Sequence, residues 1–195
     1  EAEALSAEGV DLILRDVNRS LYKFQGEDLE GLVASSKSSS KCHSKKDDET
    51  DDREHKLTRN QRKRIARRWN CRRDKLAYII QTVLGRHQGE LFYFQGFHDV
   101  VSILLLVAAE TAQVTALAEK LALFYLRDFM RNDFATLLPV LELIFPLVGA
   151  VDPELFDALT ASEVQPYVIL PWVISWFSHD LIDTEATERF FDALI

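Results

Sequence analysis

Apolar residues in the first part of the chain recur at the spacing of an amphipathic α-helix. They lie at i, i+3, i+7 and i+10, at positions Leu14, Val17, Leu21 and Phe24. One face of a helix collects residues at this spacing, so the segment predicts a helix that carries Asp16 and Arg19. The later apolar segments also have helical length, and none alternates between polar and apolar residues as a half-buried strand does. The pattern therefore predicts an all-α fold.

The second half of the chain predicts five helices. They cover 117–130, 137–148, a short segment after Asp152-Pro153, 168–177 and a segment that begins near Asp183-Thr184. We expect a break or bend in the second of these near Pro139 and Pro146, because an interior proline lacks an N–H donor and clashes with the preceding turn. Asp152 and Pro153 have the residue types of an N-cap and a first helical residue.

Candidate core residues follow from the same periodicity. In the short helix, the buried face is expected to hold Leu155, Phe156 and Leu159. Trp172 and Trp176 are four residues apart, and we expect this aromatic pair to pack in the core rather than to hold a cofactor. The apolar set of the last helix is Phe190, Phe191 and Leu194.

A long polar stretch interrupts the apolar segments. From Ser35 to about Lys56 the chain consists mainly of serine and charged residues, with six acidic residues between Asp47 and Glu54. So few apolar side chains cannot bury enough surface to offset the entropy lost on ordering. We therefore expect a disordered insertion at about 31–58 within a single domain that spans 1–195.

A strongly basic segment follows the insertion. Residues 59–75 contain nine Lys or Arg residues against one acid, Asp74, and apolar residues recur through the segment at helical spacing. One interpretation is a basic helix that contacts anionic lipid or an acidic partner. The other is a solvated helical face beside an acidic insertion that partly neutralises it.

The stretch from Glu90 to Asp99 leads directly into an apolar run and contains a candidate catalytic glutamine. Aromatic residues surround Gln95, and Gly96 after it permits a close backbone approach or a positive φ. Asp99 lies early in the predicted helix, where a negative charge interacts favourably with the helix dipole. Gln95 is therefore predicted to be held rigidly at a buried helix start and to point outward. The alternative is that its amide only satisfies a loop backbone group.

The same stretch fits the ExxYxQG cleavage site of a viral protease that is often added to recombinant proteins. A tag site joins a flexible tail to a domain, whereas this heptad continues without a spacer into Phe97, Val100 and Ile103. We therefore interpret it as native sequence.

Two short motifs carry a resemblance to a known family. Residues 13–19 have the pattern IxxDxxR, and residues 93–99 have the pattern YxQGxxD. In this order the pair resembles the TBC domain of Rab GTPase-activating proteins. The resemblance extends through 126–130, 151–155 and 172–177 to nearly all of the chain outside 30–68. It implies a TBC-type helical domain with further C-terminal helices beyond Ile195.

The resemblance also implies roles for the motif residues. In the family the first motif supplies an arginine finger and the second a glutamine finger, which correspond here to Arg19 and Gln95. The implied supporting residues are Asp16, Tyr93, Gly96 and Asp99. Without the second motif, Asp16 and Arg19 would be interpreted as a solvated helical ion pair, worth about 0.2–0.5 kcal/mol.

The implied function is stimulation of GTP hydrolysis by a Rab-family GTPase in its GTP form, in the regulation of vesicle traffic. The chain has no GxxxxGK[ST] or GxGxxG phosphate-binding loop, so it is expected to need no cofactor of its own, and the Rab would bind GTP and Mg²⁺. Whether the domain counts as an enzyme stays open, because the reaction takes place on the partner. The alternatives are a non-catalytic Rab-binding module and a helical adaptor that binds other proteins through the basic segment.

Composition limits other functions. The formal net charge of -8 disfavours general affinity for nucleic acid, and contact with an anionic membrane is expected only through the basic segment 59–75. Cys42 and Cys71 form no disulfide framework, which favours a reducing compartment. We expect a cytoplasmic protein and, by resemblance, a position at the cytosolic face of the ER or Golgi.

The remaining candidate sites are rejected on spacing. Cysteine and histidine do not form the pairs of a zinc site. Ser175, His179 and Asp180 share one predicted helix and cannot form the relay of a serine hydrolase. We expect a monomer without a membrane-spanning segment or a bound metal.

Overall fold

The computed structural model describes residues 6–20, 59–108, 110–131, 134–181 and 183–195. The predicted insertion at about 31–58 lies outside the described residues, and so do Leu21 and Phe24 of the first apolar pattern. Within the described ranges the regular structure consists of nine α-helices and two 3-10 helices, without a strand. The prediction of an all-α fold is confirmed.

The α-helices are numbered in chain order. They are α1 Ala7–Arg19, α2 Arg59–Arg86, α3 Phe97–Val107, α4 Thr111–Phe124, α5 Leu138–Glu142, α6 Ile144–Val151, α7 Pro153–Ala161, α8 Leu170–Ile174 and α9 Thr184–Leu194. The 3-10 helices are Phe134–Leu137 before α5 and Pro166–Ile169 before α8.

The long helix α2 is the centre of the packing. Three helices, α1, α3 and α4, pack against its C-terminal half. The stripe that it buries completely consists of Leu76, Ile79, Ile80 and Val83. These residues recur at i, i+3, i+4 and i+7 and so share one face. Burial of each such side chain contributes about 1.5–3 kcal/mol, so this stripe holds the functional motifs of α1 and α3 in place.

The predicted first helix is confirmed as α1, but its apolar face is wrong at one position. Ile13, Asp16 and Val17 are buried, whereas Leu14 is 41% exposed. Residues one turn apart share a face of a helix, and Leu14, one residue after Ile13, lies about 100° around the axis from it. The helix begins after Ser6, whose hydroxyl oxygen accepts a hydrogen bond from the Gly9 N–H at 3.2 Å.

The predicted helix 117–130 differs at both ends. α4 begins at Thr111 and ends at Phe124, and residues 125–130 form turns. The turns are still part of the core, because Leu126 and Met130 are completely buried. They bring the Met130 carbonyl to the Phe92 N–H, which donates to it at 2.8 Å. The turns therefore join the core to the loop before α3.

The predicted break in 137–148 is confirmed, and it falls at Leu143 between α5 and α6. Pro139 lies in the first turn of α5, and Pro146 lies in the first turn of α6. A proline in a first turn sacrifices no intrahelical hydrogen bond. The two prolines therefore fix where each short helix begins.

Asp152 caps α7 as predicted. Its carboxylate accepts a hydrogen bond from the Leu155 N–H at 3.0 Å, and Pro153 is the first helical residue. The predicted buried face of this helix is wrong, because Leu155 is 47% exposed and Phe156 and Leu159 are only half-buried. In fact α6, α7 and α8 bury no side chain in the described part of the chain.

Trp172 and Trp176 do not share a helix, so the predicted segment 168–177 is corrected. α8 ends at Ile174, and Trp176 and Phe177 adopt left-handed backbone conformations with φ of 49° and 58°. Trp176 packs edge-on against Phe191, with ring centroids 5.4 Å apart. Trp172 stacks on Phe177 and stays 42% exposed. The two tryptophans therefore make separate aromatic contacts.

The last helix begins where the sequence predicts. Asp183 is the N-cap of α9, and its carboxylate accepts from the Glu185 N–H at 3.1 Å. Of the predicted apolar set Phe191 is buried, Phe190 is half-buried and Leu194 is exposed. None of the helices in the described ranges combines the length and the hydropathy that a membrane span requires.

Candidate functional site

Gln95 lies on a tight turn at the start of α3. Gly96 forms the turn with a φ of 125° and is the N-cap of the helix. A side chain there would collide with Ile174, since an added Cβ would be 3.1 Å from its Cγ1 and 3.2 Å from its carbonyl oxygen. The positive φ and the close approach predicted for Gly96 are both confirmed.

Aromatic side chains hold this turn on both sides of Gln95. Phe94 and Phe97 are buried with their ring centroids 6.0 Å apart, and Phe94 also packs on Phe129 at 5.9 Å. Gln95 itself is exposed, as predicted. Within the described residues its amide has no hydrogen-bond partner, so it does not serve to satisfy a loop backbone group.

Tyr93 connects the turn to α1. Its hydroxyl donates to Asp16 Oδ2 at 2.8 Å, and the Asp16 side chain is almost completely buried. Burial raises the pKa of Tyr93 well above its usual value, and the negative charge of Asp16 adds to the shift. The tyrosine therefore keeps its proton and remains a donor. The two sequence motifs are in direct contact.

Asp16 pairs with Tyr93 and not with Arg19, which corrects the ion pair considered from the sequence. Among the described residues no ion pair joins Asp16 to Arg19. Asp16 faces the interior, while Arg19, three residues later at the end of α1, is exposed. A buried carboxylate needs a donor inside the fold, and the Tyr93 hydroxyl is that donor.

Two histidines extend the contact between the motifs. His98 is buried, with Nδ1 3.1 Å from the Tyr93 hydroxyl oxygen and 4.0 Å from Asp16 Oδ2. Its Nε2 lies 3.4 Å from Asp99 Oδ1, and the other oxygen of Asp99 lies 3.3 Å from His179 Nδ1. The connected groups are Asp16, Tyr93, His98, Asp99 and His179. Asp99 is in the first turn of α3, as predicted.

Sequence reasoning missed both histidines as parts of the site. His98 lies inside the second motif, beside Asp99, and this position was the available signal. His179 is 80 residues from Asp99 in the chain, so no local pattern relates them. Ser175 shows no relay to His179, because its hydroxyl donates to the Pro171 carbonyl at 2.7 Å.

The arrangement of the carboxylates and imidazoles bears on metal binding. No set of three or more His, Cys, Asp or Glu side chains in the described ranges is arranged to hold a metal ion. Chemically, the site offers an exposed guanidinium and an exposed amide on a rigid base. These groups can act on a reaction that takes place in a partner.

Comparison with known proteins decides the family. The family model for the Rab-GTPase-TBC domain matches residues 12–195, which include both motifs. The chain belongs to this family. As a Rab-GTPase-TBC domain, it carries IxxDxxR on α1 and YxQGxxD across the turn into α3, and the two motifs meet at Asp16 and Tyr93.

Named relatives share a large part of the domain. TBC1 domain family member 20 from Mus musculus is 39% identical over 119 residues, which are 61% of this chain and 29% of that protein. GTPase-activating protein gyp10 from Schizosaccharomyces pombe is 37% identical over 123 residues, which are 63% of this chain and 32% of that protein. The matched region therefore spans about a third of the length of these relatives.

Proposed function

We propose that this domain stimulates GTP hydrolysis by a Rab-family GTPase in its GTP form. The observation that carries the proposal is the bond between Tyr93 and Asp16, because it joins the helix of Arg19 to the turn of Gln95 while both of these side chains stay exposed. Membership in the Rab-GTPase-TBC family and similarity to a protein named as a GTPase activator support the same function.

In this proposal Arg19 stabilises the transition state electrostatically. Negative charge moves onto the leaving oxygen and the phosphoryl oxygens during hydrolysis, and a positioned guanidinium lowers the barrier. Arg19 is suited to this because it lies in the last turn of α1 and is exposed. In this proposal the partner Rab binds the GTP and the Mg²⁺.

Gln95 is proposed to orient the attacking water in place of the glutamine of the Rab. This task requires an amide whose direction is fixed before the partner arrives, since orientation accounts for much of the rate gain. The support for it is the rigid setting of Gln95 between Phe94 and Phe97, beside the positive-φ Gly96. One domain would act on one Rab, as a monomer.

A hydrolysis screen tests this function. Phosphate release from a panel of GTP-loaded Rabs is measured with the wild-type domain and with Gln95→Ala, whose helical content is checked by circular dichroism. At least one Rab should be accelerated by the wild type, and Gln95→Ala should lose most of that acceleration. The same Rab with its own catalytic glutamine changed to Ala should still be stimulated substantially, because Gln95 replaces it.

Other results would redirect the proposal. If the folded domain binds Rabs and accelerates none of them, it is a Rab-binding module instead. If Gln95→Ala keeps full stimulation while the altered Rab is no longer stimulated, the Rab supplies the glutamine, and only the arginine part of the mechanism stands.

We also propose that α2 contacts an anionic membrane at the cytosolic face of an endomembrane. The outer face of α2 carries the exposed residues Lys63, Arg64, Arg67 and Lys75. None of these four cations pairs with a carboxylate within the described ranges. An unpaired basic face is attracted to anionic lipid by about 1 kcal/mol per residue near the surface.

A further inference from the structure

The polar cluster that joins the two motifs contains more close polar contacts than hydrogens that could lie in them. Three contacts lie in a row, namely Asp16 to Tyr93 at 2.8 Å, Tyr93 to His98 Nδ1 at 3.1 Å, and His98 Nε2 to Asp99 at 3.4 Å. A hydrogen between its two electronegative atoms makes such a contact favourable. Three hydrogens would be needed to make all three contacts favourable.

The row supplies two protons at neutral pH. Tyr93 contributes its hydroxyl proton, which its raised pKa retains. Burial lowers the pKa of His98, against the opposing charges of Asp99 and Asp16, and the nearby His179 lowers it further. The imidazole is therefore neutral and carries one N–H, at either Nδ1 or Nε2. One of the three contacts must lack a proton.

The distances identify the contact without a proton. If the ring N–H were at Nε2, Tyr93 would have to donate to either Asp16 or Nδ1, and two lone pairs would face each other at one of the short contacts. If the N–H is at Nδ1, it donates to the Tyr93 oxygen, and the Tyr93 O–H donates to Asp16. The remaining lone pair, at Nε2, then faces Asp99 across the longest of the three distances. Only the second arrangement fills both short contacts.

We propose that His98 is a positioning residue whose Nδ1–H donates to the Tyr93 oxygen, so that the Tyr93 hydroxyl is directed to Asp16 and the helix of Arg19 is fixed against the turn of Gln95. The charged and titratable groups that face the ring come from each neighbouring element: Asp16 from α1, Tyr93 from the preceding loop, Asp99 from α3 itself and His179 from the turn after α8.

Asp99 and His179 complete the arrangement on the other side of the ring. Asp99 holds its carboxylate in the first turn of α3, where the helix dipole favours it, and its second oxygen lies beside the exposed ring of His179. His179 can therefore supply Asp99 with a donor that His98 does not. Asp99 therefore retains a neighbouring donor when His98 Nε2 carries no proton.

A spectroscopic experiment tests the tautomer without any partner. Long-range ¹H–¹⁵N correlation spectra of the ¹⁵N-labelled domain at pH 7.5 distinguish a protonated Nδ1 from a protonated Nε2, and His98→Asn assigns the signals. We expect the Nδ1–H tautomer for His98. An Nε2–H tautomer would overturn the proposal whether or not the domain acts on a Rab.

A pair of substitutions tests the positioning role. The amide nitrogen of Asn can occupy the place of Nδ1, whereas the amide of Gln reaches the place of Nε2. We therefore expect His98→Asn to keep kcat for the stimulated Rab within about threefold, while His98→Gln and His98→Phe lower kcat about tenfold, the effect of one lost hydrogen bond, with KM unchanged. An equal loss in all three variants, or retention by Gln and loss in Asn, would contradict the role.

This kinetic test rests on the proposed function, and the spectroscopic test does not. If the wild-type domain stimulates no Rab, the function fails and the tautomer still decides the assignment of His98. If the wild type is active, the Asn and Gln variants decide whether the hydrogen bond at Nδ1 sets the activity.

Discussion

Arg19 and Gln95 are exposed, whereas the residues that orient their backbones, Asp16 and Tyr93, are largely buried. A side chain supplied to a partner has to extend from the domain and still lose little freedom on binding. Here Asp16 lies one turn before Arg19 on α1, and Tyr93 lies two residues before Gln95 on the loop. At the residue scale, the side chains proposed to act on a partner are therefore different from the neighbouring side chains that fix the backbone.

Replacement of Arg19 should remove activity and leave stability unchanged. An arginine finger contributes roughly 10³–10⁵ in rate, so Arg19→Ala should abolish most of the stimulation of a responsive Rab. Arg19→Lys should restore little, because lysine keeps the charge but lacks the planar fork. The matched control is Arg15→Ala, which removes an exposed arginine of α1 that pairs with Asp11. Near-wild-type activity of Arg19→Ala in single-turnover hydrolysis would refute the assignment.

Substitution of Gly96 should destabilise the domain. Gly96→Ala places a Cβ at a φ of 125° and against Ile174, which we expect to cost about 1–3 kcal/mol of unfolding free energy. Gly85→Ala is the control, because it lies inside α2 with open space around it and should stabilise by about 0.5–1 kcal/mol. Urea unfolding of both variants measures the difference, and equal stabilities would contradict the strain.

At this scale the sequence predicted local properties and missed distant partners. The positive φ at Gly96 was predicted because glycine permits it. The exposure of Gln95 was predicted from the aromatic residues and the glycine that surround it. The partner of Asp16 was not predicted, because Tyr93 is 77 residues away, and the sequence suggested the nearby Arg19 instead. The sequence alone does not distinguish a buried aspartate from a solvated one when charged residues surround it on the helix.

At the scale of elements, α2 has two halves with different environments. Its C-terminal half buries an apolar stripe, while most residues before Trp69 are exposed. Lys63 and Lys75 are separated by about 18 Å along the helix at 1.5 Å per residue, and Arg64 and Arg67 lie between them on the same side. The outer face is therefore long and basic enough for the proposed contact with several anionic lipid headgroups.

Neutralisation of this face should weaken binding to vesicles. A variant with Lys63, Arg64, Arg67 and Lys75 changed to Gln should bind phosphatidylserine vesicles at least about tenfold more weakly in sedimentation, since each charge contributes about 1 kcal/mol. The control changes Lys120, Arg127, Arg131 and Arg189 to Gln and so has the same net charge. Equal weakening in both would mean that only net charge matters, and loss of Rab stimulation in solution would place α2 at the Rab interface.

Helix positions were predicted better than helix ends and buried faces. Asp152 and Asp183 mark helix starts through their own chemistry, and these starts were predicted. The two prolines were predicted to interrupt a helix, which they do by starting two short ones. The end of α4 at Phe124 was not predicted, because the apolar periodicity continues through Leu126 and Met130, which are buried although they lie in turns. Burial of turn residues resembles helical periodicity in the sequence.

At the scale of the whole molecule, the buried core and the candidate site coincide. The main core is formed by α1 to α4 with Leu126, Met130 and Phe191, and the polar cluster of Asp16, Tyr93 and His98 lies between α1 and α3. The helices α6 to α8 remain exposed on their apolar residues, up to 86% at Val151. Amphipathic periodicity predicted an apolar face for α7 but not whether anything covers it.

The polar cluster should make the stability of the whole domain depend on pH below neutrality. The unfolded chain binds a proton at His98 near pH 6.5, and the folded chain binds it only at lower pH, because burial lowers the pKa. Between these two values the unfolded state holds more protons, so the free energy of unfolding falls as the pH falls, by up to about 1.4 kcal/mol per pH unit.

Three other groups in the described ranges have shifted pKa values, and none of them acts in this window. The hydrogen bond to Asp11 raises the pKa of Arg15, which titrates at strongly alkaline pH in any case. A hydrogen bond from His87 lowers the pKa of Glu119, so its contribution is lost only at pH values below the usual 4.5, and the raised pKa of Tyr93 places its titration at alkaline pH. Urea unfolding at pH 7.5, 6.5 and 5.5 should therefore show a shallower pH dependence for His98→Asn than for the wild type. Parallel curves for the wild type and His98→Asn would mean that His98 binds its proton equally well in the folded and unfolded chains, and burial would then not control its charge.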